Sequence, residues 1–448
     1  MVHYIKKKNE KRDTVLHYIY GLGGGGAERI IVQLLEQNPN SKFNNFLLLK
    51  QELNIAYDIS EIQDRVLSSK HIRRTGFQRF SIIWLLFFYR RFFPWKYKKW
   101  TTKMIMKFWM RKFIRAYPEY NPRVNPESRW FTNQLWIHMN REFNGIINLA
   151  NSVSLKRPDL ISSTLLESAN STVFFAKLFF PKTFKDVKWV ASIHNNTTAR
   201  LHDIYEPDLV KFWRVLLPLI LNKTDKTVAV SEGARNDLIE SFRVMDSKVV
   251  TILNPVDIGS IDRATPTNYS SPFFMAVGRL SSQKRFDMLI EAFAAIADQV
   301  DEELLIFGQG ELENELKKKC VQLDLTERVK FMGFRSDVWS FMKSATCLVM
   351  TSLYEGLPMT LLEAKACKCP IVSFDCNYGP SELIKDDFSG YLVPMDDTET
   401  LQRILIQVSK NPSERKQMAE SGYKEIESFS ICHVHKKYES MFHEVLST

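Results

Sequence analysis

The stretch that decides the fold reads Ser352-Leu353-Tyr354-Glu355-Gly356-Leu357-Pro358-Met359-Thr360-Leu361-Leu362-Glu363-Ala364. The apolar residues 347–351 before it predict a buried strand. A helix is predicted from Pro358, because proline suits the first helical turn, where a missing N–H costs nothing. Such a helix begins with free N–H groups and a positive dipole end, which favours a diphosphate. Glu355 precedes this helix and Glu363 lies inside it, so the two carboxylates lie at different depths.

This stretch has two interpretations. Taken alone, it can be a capped core helix with two solvated glutamates. Its Glu-Gly-x-Pro-x-x-x-x-Glu-Ala frame, however, closely resembles the retaining GT-B glycosyltransferases of family 4. The resemblance implies that Glu355 contacts the donor sugar and Glu363 the ribose. It also makes the residues between them candidates for substrate and nucleotide binding: Gly356, Leu357, Pro358, Met359 and Thr360.

Length and composition limit the class of protein. The chain has 448 residues, which exceeds one ordinary domain and predicts two or three. A hydrophobic fraction of 45% with 25% charged residues is typical of a soluble globular protein. The net charge of +10 indicates an anionic partner, which can be nucleic acid, membrane lipid or a phosphorylated substrate.

The cysteines and the first residues indicate a cytosolic protein. Six cysteines are scattered in mostly apolar surroundings, and Cys367-Lys368-Cys369 lacks the spacing of a zinc site. We therefore expect reduced thiols and no metal. Residues 1–8 lack the apolar core of a secretory signal. No uninterrupted apolar run reaches the ~18 residues of a membrane-spanning helix.

A glycine-rich loop follows the first predicted strand, residues 14–20, and precedes a predicted helix, residues 30–36. This order is the phosphate-binding arrangement of doubly wound α/β domains. No acidic residue closes a second strand as a dinucleotide fingerprint requires, and a flexible turn is the alternative. The Gly-Gly-Ala-Glu-Arg end of the loop matches the same glycosyltransferases. That match implies that Gly25, Gly26 and Glu28 face the cleft near the donor and the acceptor.

Residues 65–118 contain no acidic side chain. Between residues 73 and 115, basic residues and bulky aromatics alternate at helical spacing, which is typical of a helix lying in a membrane interface. Two alternatives remain: a helical insertion with a solvated basic face, and a surface for single-stranded nucleic acid. We favour contact with an anionic membrane and expect no nucleic-acid partner.

A histidine follows another predicted strand, residues 188–193. His194 would lie at the carboxyl edge of a parallel sheet, where ligands bind. A lone histidine is more often structural, but the resemblance implies that His194 reaches the donor sugar. Ser231 follows the strand predicted at residues 227–230 and is an expected helix N-cap. The resemblance implies that Ser231 lines the cleft.

The second half of the chain carries two cations after a strand. Residues 273–277 predict the strand, and Arg279 and Lys284 follow across a glycine turn. Two cations so placed can neutralise a diphosphate leaving group, as a glycosyltransferase without a metal requires. The alternative is a solvated basic loop.

For other turns in the second half of the chain, only the resemblance to this glycosyltransferase family implies a role. It implies that Gly308 lies near the nucleotide, and that the backbone at Gly333 and Phe334 meets the base. Residues 379–382, Gly-Pro-Ser-Glu, resemble the subgroup that makes bacterial surface polysaccharides, often with UDP-linked sugars.

Together these patterns predict an α/β protein of the GT-B type, with two Rossmann-like domains facing a cleft. We expect an acceptor-side domain over residues 1–257, with a helical basic-aromatic insertion at about 65–145. A nucleotide-sugar-binding domain is expected over residues 258–425, and a helix over residues 426–448 should pack back on the first domain.

The expected activity is retaining transfer of a hexose or N-acetylhexosamine, with His194, Arg279, Lys284 and Glu355 as catalytic candidates. The donor would be a nucleotide diphosphate sugar, and the acceptor a lipid-linked saccharide of surface polysaccharide synthesis. No cofactor or metal is expected. The protein would be cytoplasmic and attached to the cytoplasmic face of the membrane.

Two other functions remain possible from the sequence. A sugar-nucleotide epimerase can use the same fold, but it needs an acid/base pair, and no second candidate stands beside His194. A catalytically idle scaffold bound to the membrane is the other. The presence of Arg279, Lys284, Glu355 and Glu363 argues against the scaffold.

Overall fold

The computed structural model describes residues 12–19, 26–36, 41–50, 60–67, 95–164 and 169–448. Within these ranges the strands form two separate, entirely parallel sheets. The strands are β1 (Thr14–Ile19), β2 (Asn44–Leu49), β3 (Val66–Leu67), β4 (Leu160–Thr164), β5 (Lys188–Ile193), β6 (Lys226–Ala229), β7 (Val249–Thr251), β8 (Phe273–Val277), β9 (Glu303–Phe307), β10 (Val329–Gly333), β11 (Cys347–Met350), β12 (Ile371–Phe374) and β13 (Tyr391–Val393).

Helices connect the strands. They are α1 (Gly26–Glu36), α2 (Trp95–Ala116), α3 (Ser128–Lys156), α4 (Ala169–Phe179), α5 (Thr197–Ile204), α6 (Pro207–Leu221), α7 (Glu232–Glu240), α8 (Ile258–Arg263), α9 (Phe286–Ala294), α10 (Glu313–Gln322), α11 (Val338–Met342), α12 (Met359–Ala366), α13 (Pro380–Leu383), α14 (Thr398–Lys410), α15 (Pro412–Lys424) and α16 (Ile431–Ser447). Short 3₁₀ turns span Ser60–Arg65, Pro118–Tyr120, Asp246–Lys248, Ser282–Lys284 and Ile426–Phe429.

Both sheets are doubly wound. The first has the order β3-β2-β1-β4-β5-β6-β7 and the second β10-β9-β8-β11-β12-β13. The central strands are almost fully buried, as parallel strands covered on both faces require, and most of their residues are apolar, although β4 ends in the buried polar residues Ser162, Ser163 and Thr164. In each sheet the order reverses beside the first strand, between β1 and β4 and between β8 and β11, which is where such sheets bind ligands at the carboxyl ends of their strands. The predicted α/β class with two Rossmann-like domains is confirmed.

Helix α2 divides its side chains between core and surface. Met106, Trp109 and Phe113, spaced at three and four residues, are buried, and the Trp109 ring stacks on Phe179 of α4 at 4.5 Å between centroids. The opposite face exposes Phe108 together with basic residues. Two aromatics of the basic-aromatic segment therefore belong to the core rather than to the surface, and residues 73–94 of that segment lie outside the described residues.

Helix α3 continues through residue 145, where the sequence pattern suggests the end of the insertion. Its buried positions recur at helical spacing on both sides of that point, at Phe131, Leu135, Met139, Ile146 and Val153. Among the described helices, none has a stretch long and apolar enough to cross a bilayer.

Helix α16 lies on the first sheet, although it follows the second sheet in the chain. Phe442 meets Phe43 edge to face at 5.8 Å between ring centroids. Its apolar face joins a core cluster with Val15 of β1 and Val190 of β5. An ion pair of 3.1 Å between Lys226 Nζ and Glu444 Oε1 lies at the edge of this contact. The tail of the chain thus covers residues of the first domain.

Candidate active site

Glycine turns bring the loops after β8, β9 and β10 together. Gly308 has φ of +132°, and a Cβ there would lie 1.8 Å from the carbonyl oxygen of Gly278. A Cβ at Gly310 would lie 2.3 Å from the carbonyl oxygen of Leu280. No side chain fits at either position. The close approach fixes the path of the backbone on both sides of Arg279.

Lys284 and Glu355 form an ion pair at the carboxyl edge of the second sheet. The distance between Lys284 Nζ and Glu355 Oε1 is 2.5 Å, and both side chains are largely buried. The loops that carry them are also joined by their backbones, since Leu353 N donates to Gln283 O at 2.8 Å. Thr351 Oγ1 donates to Lys284 O at 2.9 Å. The two charges therefore lie on a rigid frame.

The side chain of Arg279 is exposed. Arg279 lies two residues after the end of β8 and five residues before Lys284 in the sequence. Within the described part of the chain, its guanidinium forms no ion pair with a carboxylate. An unpaired arginine at the carboxyl edge of a parallel sheet can accept a phosphate from solvent.

Helix α12 begins one residue later than the sequence predicts. Pro358 has ψ of 110° and is the extended N-cap, so the first helical residue is Met359. No side chain caps this end, and its first turn has no acidic residue. Met359 and Thr360 are partly exposed. The N-terminus of α12 therefore offers free amides and a positive dipole end close in sequence to Glu355.

Glu363 is buried, with 5% of its surface exposed. One turn further, at the C-cap of α12, Cys367 Sγ lies 3.8 Å from Trp339 O of α11. Glu363 thus belongs to the side of α12 that meets the segment after β10. β10 ends at Gly333, which has φ of +66°, and the segment after it begins with Phe334, which is 71% exposed.

His194 approaches this loop from the first domain. Both ring nitrogens are buried, and burial lowers the pKa of His194 to about 4, although interaction with the Asn254 side chain opposes this shift. The imidazole is therefore neutral at pH 7. A Cβ on Gly356 would lie 2.4 Å from His194 O, and Asn254 Nδ2 donates to Leu357 O at 3.4 Å. The two domains meet at the Glu-Gly-Leu-Pro loop.

The remaining candidates of the first domain are described only in part. Gly25 lies outside the described residues. Gly26 and Glu28 belong to α1, and only their backbone position is defined. Ser231 is the N-cap of α7, as predicted, because its Oγ accepts from Ala234 N at 3.0 Å. Its side chain is fully buried, so in this arrangement it supports the helix end rather than facing solvent.

Two contacts between the domains involve residues outside the candidate set. Tyr354 Oη donates to Asp203 Oδ2 of α5 at 2.7 Å. Glu382 accepts from the first two amides of α7, at 2.7 Å from Glu232 N and 2.9 Å from Gly233 N. Nothing in the sequence marks Asp203, an acid on a surface helix. Glu382 belongs to the Gly-Pro-Ser-Glu turn, which was the sequence feature that could have drawn attention to it.

Within the described residues, no three histidine, cysteine or acidic side chains come together as ligands for a metal ion. The thiols at Cys347 and Cys369 are buried, and burial raises the pKa of both. The site is therefore built from one ion pair, an exposed arginine, a helix N-terminus, a buried glutamate and a neutral histidine.

Comparison with known proteins defines the class that this fold and site represent. A family model described as "Glycosyltransferase Family 4" matches residues 114–260, and one described as "Glycosyl transferases group 1" matches residues 257–425. The two models adjoin and together span both sheets from β4 onward. The chain belongs to the GT-B glycosyltransferases of family 4.

Three similar proteins illustrate the family. The chain is 25% identical over 391 residues, 86% of its own length and 87% of the relative's, to the N-acetylgalactosamine-N,N'-diacetylbacillosaminyl-diphospho-undecaprenol 4-alpha-N-acetylgalactosaminyltransferase of Campylobacter jejuni. It resembles the structure of the lipopolysaccharide outer core galactosyltransferase WaaB, with a TM-score of 0.61, 19% identity, and coverage of 96% and 99% of the two chains. It resembles Anabaena HepE in complex with UDP and glucose, with a TM-score of 0.67, 15% identity, and coverage of 96% and 100%. The structural likenesses show the fold.

Proposed function

We propose that this glycosyltransferase moves a hexose or N-acetylhexosamine from a UDP-linked sugar to a lipid-linked saccharide, with retention at the anomeric carbon. The observation that carries the proposal is the contact between Lys284 and Glu355, 2.5 Å apart beside the uncapped N-terminus of α12. The Campylobacter relative is named for transfer to a diphospho-undecaprenol-linked sugar. The Anabaena structure contains UDP and glucose. The first supports a lipid-linked acceptor, and the second supports a UDP donor.

In the proposed complex, the donor diphosphate lies between Arg279, Lys284 and the free amides of Met359 and Thr360. Glu363 binds the ribose on the side of α12 that faces the segment after β10. The exposed ring of Phe334 is available to the base at the same edge of the sheet. Charge neutralisation and positioning then supply most of the rate enhancement.

The transfer step needs no base from the protein. The bond between the anomeric carbon and the leaving phosphate oxygen breaks, and the acceptor oxygen forms its bond on the same face of the sugar. The acceptor proton passes to the leaving phosphate. Glu355 orients the donor sugar, and neutral His194 can exchange a hydrogen bond with a sugar hydroxyl from the first domain. Because two cations and a helix dipole balance the leaving charge, we propose that no metal takes part.

The proposed acceptor requires access to a membrane. We propose that the exposed face of α2 lies on anionic lipid at the cytoplasmic face. It presents Lys107, Phe108, Arg111 and Arg115 along one side of the helix, while the buried side holds it on α3 and α4. Basic residues of this kind each add about 1 kcal/mol of attraction to an anionic surface.

The experiment is a screen of UDP-, GDP- and ADP-linked sugars for transfer to a lipid-diphosphate-linked saccharide, with and without a chelator, in wild type and two variants. Lys284→Ala should lower kcat about 10²–10³-fold, as removal of one such stabilising group usually does. Lys317→Ala is the matched control, since Lys317 forms a surface ion pair with Glu313 on the same domain. Its activity should stay within twofold of wild type.

Because Lys284→Ala leaves a largely buried carboxylate unpaired, its stability must be measured beside its activity. If it unfolds, the double variant Lys284→Met/Glu355→Gln removes both charges and tests the same loss. A folded Lys284→Ala variant with less than a tenfold loss would contradict the proposed role. Loss of all transfer on chelation would contradict the reaction without a metal. Binding of no nucleotide sugar would favour the scaffold.

A further inference from the structure

Asp203 joins the two domains at the loops that carry the candidate catalytic charges. It lies near the end of α5 in the first domain, and its Oδ2 accepts from Tyr354 Oη at 2.7 Å. Its Oδ1 lies 3.5 Å from Ser282 Oγ. One carboxylate therefore touches both the loop after β8 and the loop after β11.

The two partners of Asp203 stand next to the ion pair in sequence. Tyr354 directly precedes Glu355, and Ser282 lies two residues before Lys284. Gln283, between Ser282 and Lys284, donates from Nε2 to Tyr354 O at 2.9 Å. A shift of the Tyr354 ring or of the Ser282 turn would thus change the separation of the Lys284 and Glu355 charges.

Helix α5 is itself held firmly. The Asn196 side chain caps its start by accepting from Ala199 N at 2.9 Å. Thr198 N and Oγ1 both donate to the carboxylate of Asp237 on α7, at 3.0 and 2.5 Å. Helix α7 in turn donates its first amides to Glu382 of the second domain. The connection therefore leaves the second domain at Tyr354 and returns to it at Glu382.

We infer that Asp203 is a positioning residue, which fixes Tyr354 and through it Glu355 only while the two domains are in contact. The inference rests on the proposed function and adds to it the step at which domain approach completes the site. A hydrogen bond to a carboxylate is stronger and shorter than a neutral one. The bond is lost when the domains separate, so donor binding to the second domain does not depend on it, whereas transfer does.

The test compares Asp203→Ala, Tyr354→Phe and their double variant with Asp208→Ala. Asp208 is an exposed acid at the start of α6, on the same domain, and it forms a surface ion pair with Lys211. We expect Asp203→Ala and Tyr354→Phe each to lower kcat about tenfold, as the loss of one charge-assisted hydrogen bond does. Affinity for UDP and the thermal midpoint should stay near wild type. The double variant should lose no more than either single variant.

A second measurement does not depend on activity. Hydrogen exchange at the amides of residues 353–357 should be faster in Asp203→Ala than in wild type and unchanged in Asp208→Ala. If wild type transfers no sugar from any donor, the proposed function fails and the exchange data still decide whether Asp203 fixes the loop.

Three results would overturn the inference. The first is exchange at residues 353–357 that does not change in Asp203→Ala. The second is a kcat of Asp203→Ala within twofold of that of Asp208→Ala. The third is a set of losses that multiply in the double variant, because independent effects would mean that the two residues do not act through one contact.

Discussion

Gly356 is the residue at which the backbones of the two domains come into contact. A Cβ there would lie 2.4 Å from His194 O and 2.8 Å from Asn195 Cα. Both neighbours are backbone atoms, which cannot rotate away as a flexible side chain can. Its own φ is not in the left-handed region. The requirement for glycine at this position therefore comes from the opposite domain.

We predict that Gly356→Ala lowers transfer by at least about tenfold, because the added methyl group holds the domains apart and a displacement of even 1 Å at a reacting centre is costly. The second domain itself should remain folded, since no atom of that domain is among the close neighbours. Transfer kinetics and the radius of gyration from small-angle scattering measure the two effects. The radius should increase.

Gly259→Ala is the control for that prediction. Gly259 lies inside α8, and a Cβ there would meet Arg263 Nη1 at an ordinary 3.6 Å. Alanine should be neutral or slightly stabilising at this helical position. Equal activity of the two alanine variants would contradict the role assigned to the contact between Gly356 and His194.

At the level of residues, the sequence indicated Lys284 and Glu355 as candidates because each stands in a motif that carries its own chemistry. It did not predict their mutual contact across 71 residues. Asp203 was out of reach for a physical reason. Its partner Tyr354 lies 151 residues away, and an acid on a surface helix shows no pattern until the two domains are brought together.

At the level of elements, the exposed face of α2 is where the membrane proposal can be tested. Lys107, Phe108, Arg111 and Arg115 are exposed, whereas Trp109 is buried. Deleting the segment would remove part of the core as well as the surface. Substitutions on the exposed face test the membrane proposal without disturbing the buried one.

We predict that Lys107→Glu/Arg111→Glu weakens binding to vesicles containing anionic lipid at least about thirtyfold, since each basic residue contributes about 1 kcal/mol. High salt should weaken wild type in the same way. Sedimentation with vesicles measures the binding. Lys317→Glu/Lys318→Glu on α10 is the control with the same change of charge, and it should bind like wild type. Equal sedimentation of both double variants would contradict a membrane role for α2.

The strands were predictable from sequence because buried parallel strands are short apolar runs closed by turn residues. Predicted and observed bounds for residues 188–193 agree, and α12 differs from its predicted start by one residue. It was harder to predict from the sequence which face of α2 is buried. Aromatic composition does not say which face of the helix is buried, and only the structure shows that Met106, Trp109 and Phe113 form that face.

For the whole molecule, buried histidines couple stability to pH. Burial lowers the pKa of His138 to about 3 and those of His17 and His194 to about 4. The unfolded chain takes up protons below pH 6.5, the ordinary pKa, whereas the folded chain does so only near pH 3 to 4. The free energy of unfolding therefore falls as the pH drops through this range, by up to about 1.4 kcal/mol per pH unit for each histidine.

We predict that in His138→Gln the free energy of unfolding falls less steeply as the pH drops from about 6 to about 4, because unfolding takes up one proton fewer. Denaturant unfolding at several pH values gives the slope, which is independent of any overall loss of stability caused by the substitution. His433, which is exposed on α16, provides the control variant His433→Gln. A slope for His138→Gln equal to that of wild type would show that His138 does not titrate differently on folding.

The position of α16 has a consequence for synthesis on the ribosome. Val15 and Phe43 leave the exit tunnel early, yet they are covered by Val434 and Phe442, which are added about 400 residues later. Until residues 431–447 have been made, the nascent first domain presents an apolar patch that its own sequence cannot cover. That patch is complete once Ile252 has been made, and it stays open to chaperones until α16 follows.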